Sequence, residues 1–172
     1  MRAAILGAGV VGVATAWYLR ERGWDVDVYD RQPDVGMETS FANGGQISVS
    51  HAEPWAAPGV PMKALKWLGQ EDAPLLFRPQ MDIQQWTWGL KFLRECTHGR
   101  WLANTKNLIA LGLYSRQALQ DLRQALPLAY EQATRGIMHV YTEAGSFEDA
   151  KVHAKTMEPL GVDRAGLTPQ QA

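Results

Sequence analysis

Six residues near the start of the chain, Gly7-Ala8-Gly9-Val10-Val11-Gly12, and an acid eighteen residues beyond them, Asp30, have the types and spacing to hold a dinucleotide. In a G-x-G-x-x-G turn the first glycine makes the tight bend and the second lets backbone approach a pyrophosphate. The third allows close packing of helix on strand. The N-terminus of the helix that follows points free N–H groups and a partial positive charge at the phosphates. A carboxylate at the end of the next strand can hydrogen-bond both hydroxyls of an adenosine ribose.

The elements needed to position these groups are legible around them. Arg2-Ala3-Ala4-Ile5-Leu6 reads as a short buried strand stopping at Gly7. Val10 to Arg22 reads as a helix with Val10, Val13, Ala14, Trp17 and Tyr18 on one face, and Gly23 is its stop. Asp25-Val26-Asp27-Val28-Tyr29 is β-branched and alternating, a second strand. Strand, glycine turn, helix and strand in this order predict the opening of a βαβ unit and an α/β fold. The competing reading is a secretory signal, because Ala3 to Leu19 is uncharged, follows Arg2 and contains Ala14-Thr15-Ala16. Three glycines, a single basic residue ahead of the stretch and its short length count against that reading.

Further along, Arg31 to Pro61 is rich in turn residues and has little periodicity, as expected of a functional loop. Ile83, Trp86, Leu90 and Leu93 then recur at helical spacing, and so do Leu108, Leu111, Ala118, Leu119, Leu122 and Leu126, a run ended by Pro127. Ile137 to Thr142 reads as a strand, and Ser146 as the cap of a helix carrying Phe147, Ala150, Ala154 and Met157, with Gly161 beyond its end. Thr168-Pro169 announces one more helix three residues before the last. That helix and the lone strand predict a chain cut from a longer one.

Composition narrows the class. Of 172 residues, 46% are hydrophobic and 20% charged, the balance of a globular protein. Seventeen basic and eighteen acidic residues leave a net charge of -1, with no basic stripe, which argues against nucleic acid as a partner. Cys96 is the single cysteine, so no internal disulfide or Cys-rich zinc site is expected, and a reducing, cytoplasmic setting fits. His98, His139 and His153 lack partners at metal-ligand spacing, and no metal is expected.

The glycine fingerprint is shared by NAD and FAD, and the next segment separates them by resemblance. Thr39-Ser40-Phe41-Ala42-Asn43-Gly44-Gly45-Gln46-Ile47-Ser48, Pro54-Trp55-Ala56-Ala57-Pro58-Gly59-Val60-Pro61 and Lys63-Ala64-Leu65-Lys66-Trp67-Leu68 closely resemble the D-amino acid dehydrogenase small subunit, within the glycine oxidase and D-amino acid oxidase group. The resemblance continues through Trp88-Gly89-Leu90-Lys91-Phe92-Leu93-Arg94, Asn104-Thr105 and Leu113-Tyr114-Ser115-Arg116. It covers essentially all of this chain but only the N-terminal part of the family's longer one. It implies FAD as cofactor and a Rossmann-like FAD-binding opening, followed by a helical segment and the start of a substrate-domain sheet. The corresponding segments are residues 1–50, 51–134 and 135–172.

Ser40, Asn43 and the backbone of Gly44 and Gly45 offer donors on small residues, suited to close approach to phosphate, ribitol or flavin. Arg31, directly after the ribose acid, is expected to flank the adenine, the alternative being a solvated side chain. Two departures stand out: Gly44 replaces a common alanine, and Val49-Ser50-His51 replaces a Pro-Gly-Tyr-like run. His51 could act as acid or base, yet hydride transfer from a neutral amine needs no obligatory protein base, and it is read as structural. Trp55, Trp67, Trp86, Trp88 and Trp101 are read as core, with an interfacial place open to one or two.

The activity implied by the resemblance is oxidation of a D-amino acid such as D-alanine to an imine, hydrolysed to the 2-oxo acid and ammonia. Electrons pass to a quinone or similar acceptor. By the same resemblance most substrate-binding groups belong to the rest of the family's chain, so no catalytic residue is assigned and the chain alone is expected to be inactive. A separate C-terminal half is a candidate partner, and a peripheral place on the inner face of the plasma membrane is the alternative location. Other readings are a fragment of another FAD-dependent amine oxidase, or a non-catalytic dinucleotide-binding module or remnant.

Overall fold

A computed structural model describes residues 1–67 and 78–171; Leu68, the last residue of one quoted motif, lies outside the described residues. The chain forms two compact units, Met1–Gln46 and Ile47–Ala172.

In the first unit, β1 (Arg2–Leu6) and β2 (Asp25–Tyr29) pair in parallel, in register from Arg2 with Asp25 to Leu6 with Tyr29. Parallel strands need a crossover, and α1 (Val10–Glu21) supplies it. Among the described residues these are the strands of the fold, which is α/β with a small parallel sheet. The helix ends where glycine allows it. Gly23 has φ +76, its N–H donates to the Arg20 carbonyl at 2.8 Å, and the Trp24 N–H reaches the Leu19 carbonyl at 3.1 Å. Those two bonds make a Schellman cap, which satisfies carbonyls that the helix leaves open.

The rotation of α1 is set by a close approach. A Cβ on Gly12 would lie 1.8 Å from the Gly7 carbonyl oxygen and 3.4 Å from Ile5 Cγ2. With Gly12 turned onto β1, the half-buried residues of the helix are Ala16, Trp17 and Leu19, while Val10, Val13 and Tyr18 stay exposed. The apolar face drawn through Val10, Val13, Ala14, Trp17 and Tyr18 is therefore corrected: within this unit only Trp17 of that set is half-buried. Glycine contact, not side-chain size, decides which face meets the sheet.

The second unit is helical: α2 (Val60–Trp67), α3 (Ile83–Glu95), α4 (His98–Ala125) and α5 (Ala144–Met157), with 3-10 turns at Val49–His51 and Glu158–Leu160. Asp82 caps α3 by accepting the Gln84 N–H at 2.8 Å. The core is formed by Val49, Ile109, Met157 and Val162, with Ala52, Leu113 and Leu160 against it. On α4 the buried stripe is Trp101, Thr105 and Ile109, four residues apart, whereas Leu108 and Leu111 face out.

Several sequence expectations are corrected here. Ile137–Thr142 is not a strand, because no described strand lies in this unit to complete a ladder, and its residues are exposed. The start of a substrate-domain sheet is accordingly not formed among the described residues. Ser146 is not a cap: α5 begins at Ala144 with extended backbone at Glu143, which leaves Ser146 inside the first turn. Thr168-Pro169 opens a single turn, closed by the Gln171 N–H on the Thr168 carbonyl at 2.9 Å. Of the tryptophans read as core, Trp101 is 6% exposed, but Trp55 is 85% exposed and Trp86 and Trp88 are also exposed.

Candidate nucleotide site at the first glycine turn

Gly7 follows β1 with φ +106, a conformation side chains rarely adopt, and its N–H extends the ladder to the Tyr29 carbonyl at 2.7 Å. That sharp bend puts Gly9 at the N-terminus of α1, which carries no acidic residue in its first turn to offset the positive end of the helix dipole. The Val10 N–H donates to Ser40 Oγ at 3.0 Å. The N–H groups of Val11 and Gly12, also in the first turn, have no acceptor within the helix.

Asp30 directly follows β2, beside this turn. Its Oδ2 accepts the Ala8 N–H at 2.6 Å and its Oδ1 accepts the Gln32 N–H at 2.8 Å. The Ala8 bond first and the Gln32 bond second hold the carboxyl below the usual carboxylate range, so it is ionised at neutral pH. Each oxygen keeps a lone pair for a further donor. The Ala8 carbonyl meanwhile accepts the Gly36 N–H at 2.9 Å, which ties the following loop to the turn.

An open cleft of about 560 Å³ is lined by Gly7, Gly9, Asp30, Arg31, Glu38 and Ser40 among others, a volume in the range of small-molecule sites. Of the residues singled out in the sequence, Gly7, Gly9, Asp30, Arg31 and Ser40 thus come together. Ala8 is buried behind them, Val10 and Val11 turn their side chains to solvent, and Gly12 packs on Gly7. Asn43, Gly44 and Gly45 do not line the cleft. Asn43 braces its own loop, donating to the Ser40 carbonyl at 2.7 Å and accepting the Gly45 N–H at 2.8 Å. Gly45 takes φ +59 to complete that brace, and Gly44 is exposed.

Glu38 is the residue that sequence reasoning missed. Arg31 donates through Nε to Oε1 and through Nη2 to Oε2, both at 2.6 Å, and Gln32 Nε2 adds a bond to Oε1 at 3.0 Å. Gln32 and Arg31, in that order of weight, lower the Glu38 pKa. The signal was an acid seven residues after a base in an aperiodic stretch, which no helix or strand period exposes.

In the second unit His51 and His139, read separately in the sequence, meet with Nε2 and Nδ1 3.3 Å apart and rings edge to face at 4.4 Å. Glu53 lies 3.7 Å from both His153 Nδ1 and Arg164 Nη2. Among the described residues no cluster of three or more His, Cys, Asp or Glu side chains could hold a metal, and no helix is long and apolar enough to cross a membrane.

Comparison with known proteins bears on this geometry. The chain is 55% identical to a D-amino acid dehydrogenase of Dechloromonas aromatica over 95% of its length and 39% of the relative's. A D-amino acid dehydrogenase of Paramagnetospirillum magneticum is 51% identical over 99% of this chain and 41% of the relative. One from Bradyrhizobium diazoefficiens is 41% identical over 94% and 38%. The chain therefore spans about two fifths of the length of the curated relatives it matches. No solved structure matches it with statistical support. The family described as FAD dependent oxidoreductase matches residues 2–172, and the chain belongs to that family.

Proposed function

We propose that this chain is the N-terminal, FAD-binding portion of a D-amino acid dehydrogenase, with the first unit, Met1–Gln46, forming a Rossmann-like nucleotide unit. The observation that carries this reading is the carboxylate of Asp30 held 2.6 Å from the backbone of the glycine turn, beside the open N-terminus of α1. The residues fit the adenosine diphosphate half of FAD. Val11 and Gly12 N–H groups and the helix dipole suit the pyrophosphate, and ionised Asp30 has lone pairs for ribose hydroxyls. Ser40, at the rim, would exchange its bond to Val10 for one to phosphate. Asn43, Gly44 and Gly45 would shape that loop, and Arg31 would border the adenine. FAD, when bound, supplies the redox chemistry.

The whole activity is oxidative deamination of a D-amino acid, with electrons leaving to a quinone-type acceptor. Groups that bind the substrate carboxylate and the rest of the flavin would come from the part of the relatives that this chain does not match, whether on one polypeptide or two. The test is dye reduction with D-alanine, run on the chain alone and on the chain joined to the remaining three fifths of a relative. The completed protein should turn over and the chain alone should not. Turnover by the chain alone, or none by a folded, flavin-loaded completed protein, would overturn the proposal.

A further inference from the structure

The pair formed by Arg31 and Glu38 is bidentate, yet its side chains are 78% and 46% exposed. Exposed ion pairs add little to stability, so fold strength does not explain two fork-to-fork bonds at 2.6 Å. Location does. Arg31 directly follows Asp30, and five guanidinium donors beside a carboxylate are a ready competitor for its lone pairs. Those lone pairs are what a ribose would need. Asp30 nevertheless accepts only backbone N–H groups among its described hydrogen bonds, from Ala8 and Gln32. Arg31 is turned instead toward Glu38 at the rim of the same cleft, where Gln32 also holds Glu38.

Resting on the nucleotide reading above, we propose that Glu38 is a positioning residue that holds the Arg31 guanidinium off Asp30, so that the Asp30 carboxylate stays free to receive the ribose hydroxyls of the nucleotide. Glu38 touches neither ribose nor phosphate in this scheme; it acts through Arg31. Remove its carboxylate and Arg31 turns to the anion next to it in sequence, Asp30, whose charge it already feels, closing the ribose site from within. Remove both and Asp30 is free again. This arrangement makes an unusual demand: a second substitution must repair the first.

The test titrates FAD, and separately ADP, into the full chain and its Glu38→Ala, Glu38→Gln, Arg31→Ala and Arg31→Ala/Glu38→Ala variants, with the melting midpoint of each nucleotide-free protein as control. Both Glu38 variants should bind FAD and ADP about tenfold more weakly, the scale of one charge-assisted hydrogen bond, with little change in melting midpoint. The double variant should recover to within about threefold of Arg31→Ala alone, a non-additive result expected only of coupled groups. Wild-type affinity in the Glu38 variants, a double variant weaker than Glu38→Ala, or losses that track a lowered midpoint would each overturn the proposal. A wild-type chain that binds neither FAD nor ADP overturns the nucleotide reading itself, and this proposal with it.

Discussion

Asp30 and Gly12 do different work within a few ångströms of the same turn, and substitution separates them. Asp30→Ala removes the acceptor of the Ala8 and Gln32 N–H groups and the candidate ribose ligand, so FAD affinity should fall at least about tenfold by calorimetry. Gly12→Ala instead places a Cβ 1.8 Å from the Gly7 carbonyl oxygen. Overpacking of this kind costs about 1–3 kcal/mol, and here the neighbour is backbone that cannot step aside. It should lower the denaturant midpoint of the protein before any nucleotide is added, and an unchanged midpoint would remove the packing role given to the third glycine. Two of the glycine roles were legible from spacing alone, because φ +106 at Gly7 and the contact at Gly12 are properties of the turn itself. Glu38 was not legible. Its partnership with Arg31 depends on how an aperiodic loop folds back, and no local pattern encodes that.

At the scale of elements, the sequence was readable wherever an element is closed by its own local chemistry. The Schellman cap at Gly23 and the stop before Pro127 followed from single residues whose backbone preferences leave little choice. It misled where an element needs a distant partner. Ile137–Thr142 has strand composition, but a strand is defined by its neighbour. The same segment carries His139, which meets His51 from 88 residues away. Desolvation by the groups packed beside this largely exposed ring comes first, then the charges of His51 and Arg164; together they lower the His139 pKa, so the folded protein favours neutral imidazole. The unfolded chain, with an ordinary value near about 6.5, then binds the proton more readily. This contribution to stability is present above that pH and is lost as pH falls through the lower folded value. The thermal midpoint of the chain should therefore decline as pH drops from about 7 toward 5, and His139→Asn should flatten that slope. A slope unchanged in the variant would assign the effect elsewhere.

For the molecule as a whole, large apolar side chains remain exposed in both units. Leu6 at the end of β1 is 86% exposed, and Val10 and Val11 on α1 and Ile83 and Leu90 on α3 are exposed as well. Parallel sheets are ordinarily covered on both faces, and a two-stranded one has both edges open. Length and composition alone predicted a globular chain, but not which faces would lack cover, since that depends on how many strands the sheet holds, two among the described residues. The family assignment makes FAD the ligand to examine, and the first unit holds the residues proposed to grip its adenosine half. The glycine fingerprint by itself is shared by two dinucleotides, FAD and NAD. Calorimetric titration of the purified chain with each, under identical conditions, decides between them. Saturable binding of FAD near one equivalent, with NAD at least about a hundredfold weaker, is the result expected; preference for NAD, or no binding of FAD by a folded chain, would contradict it.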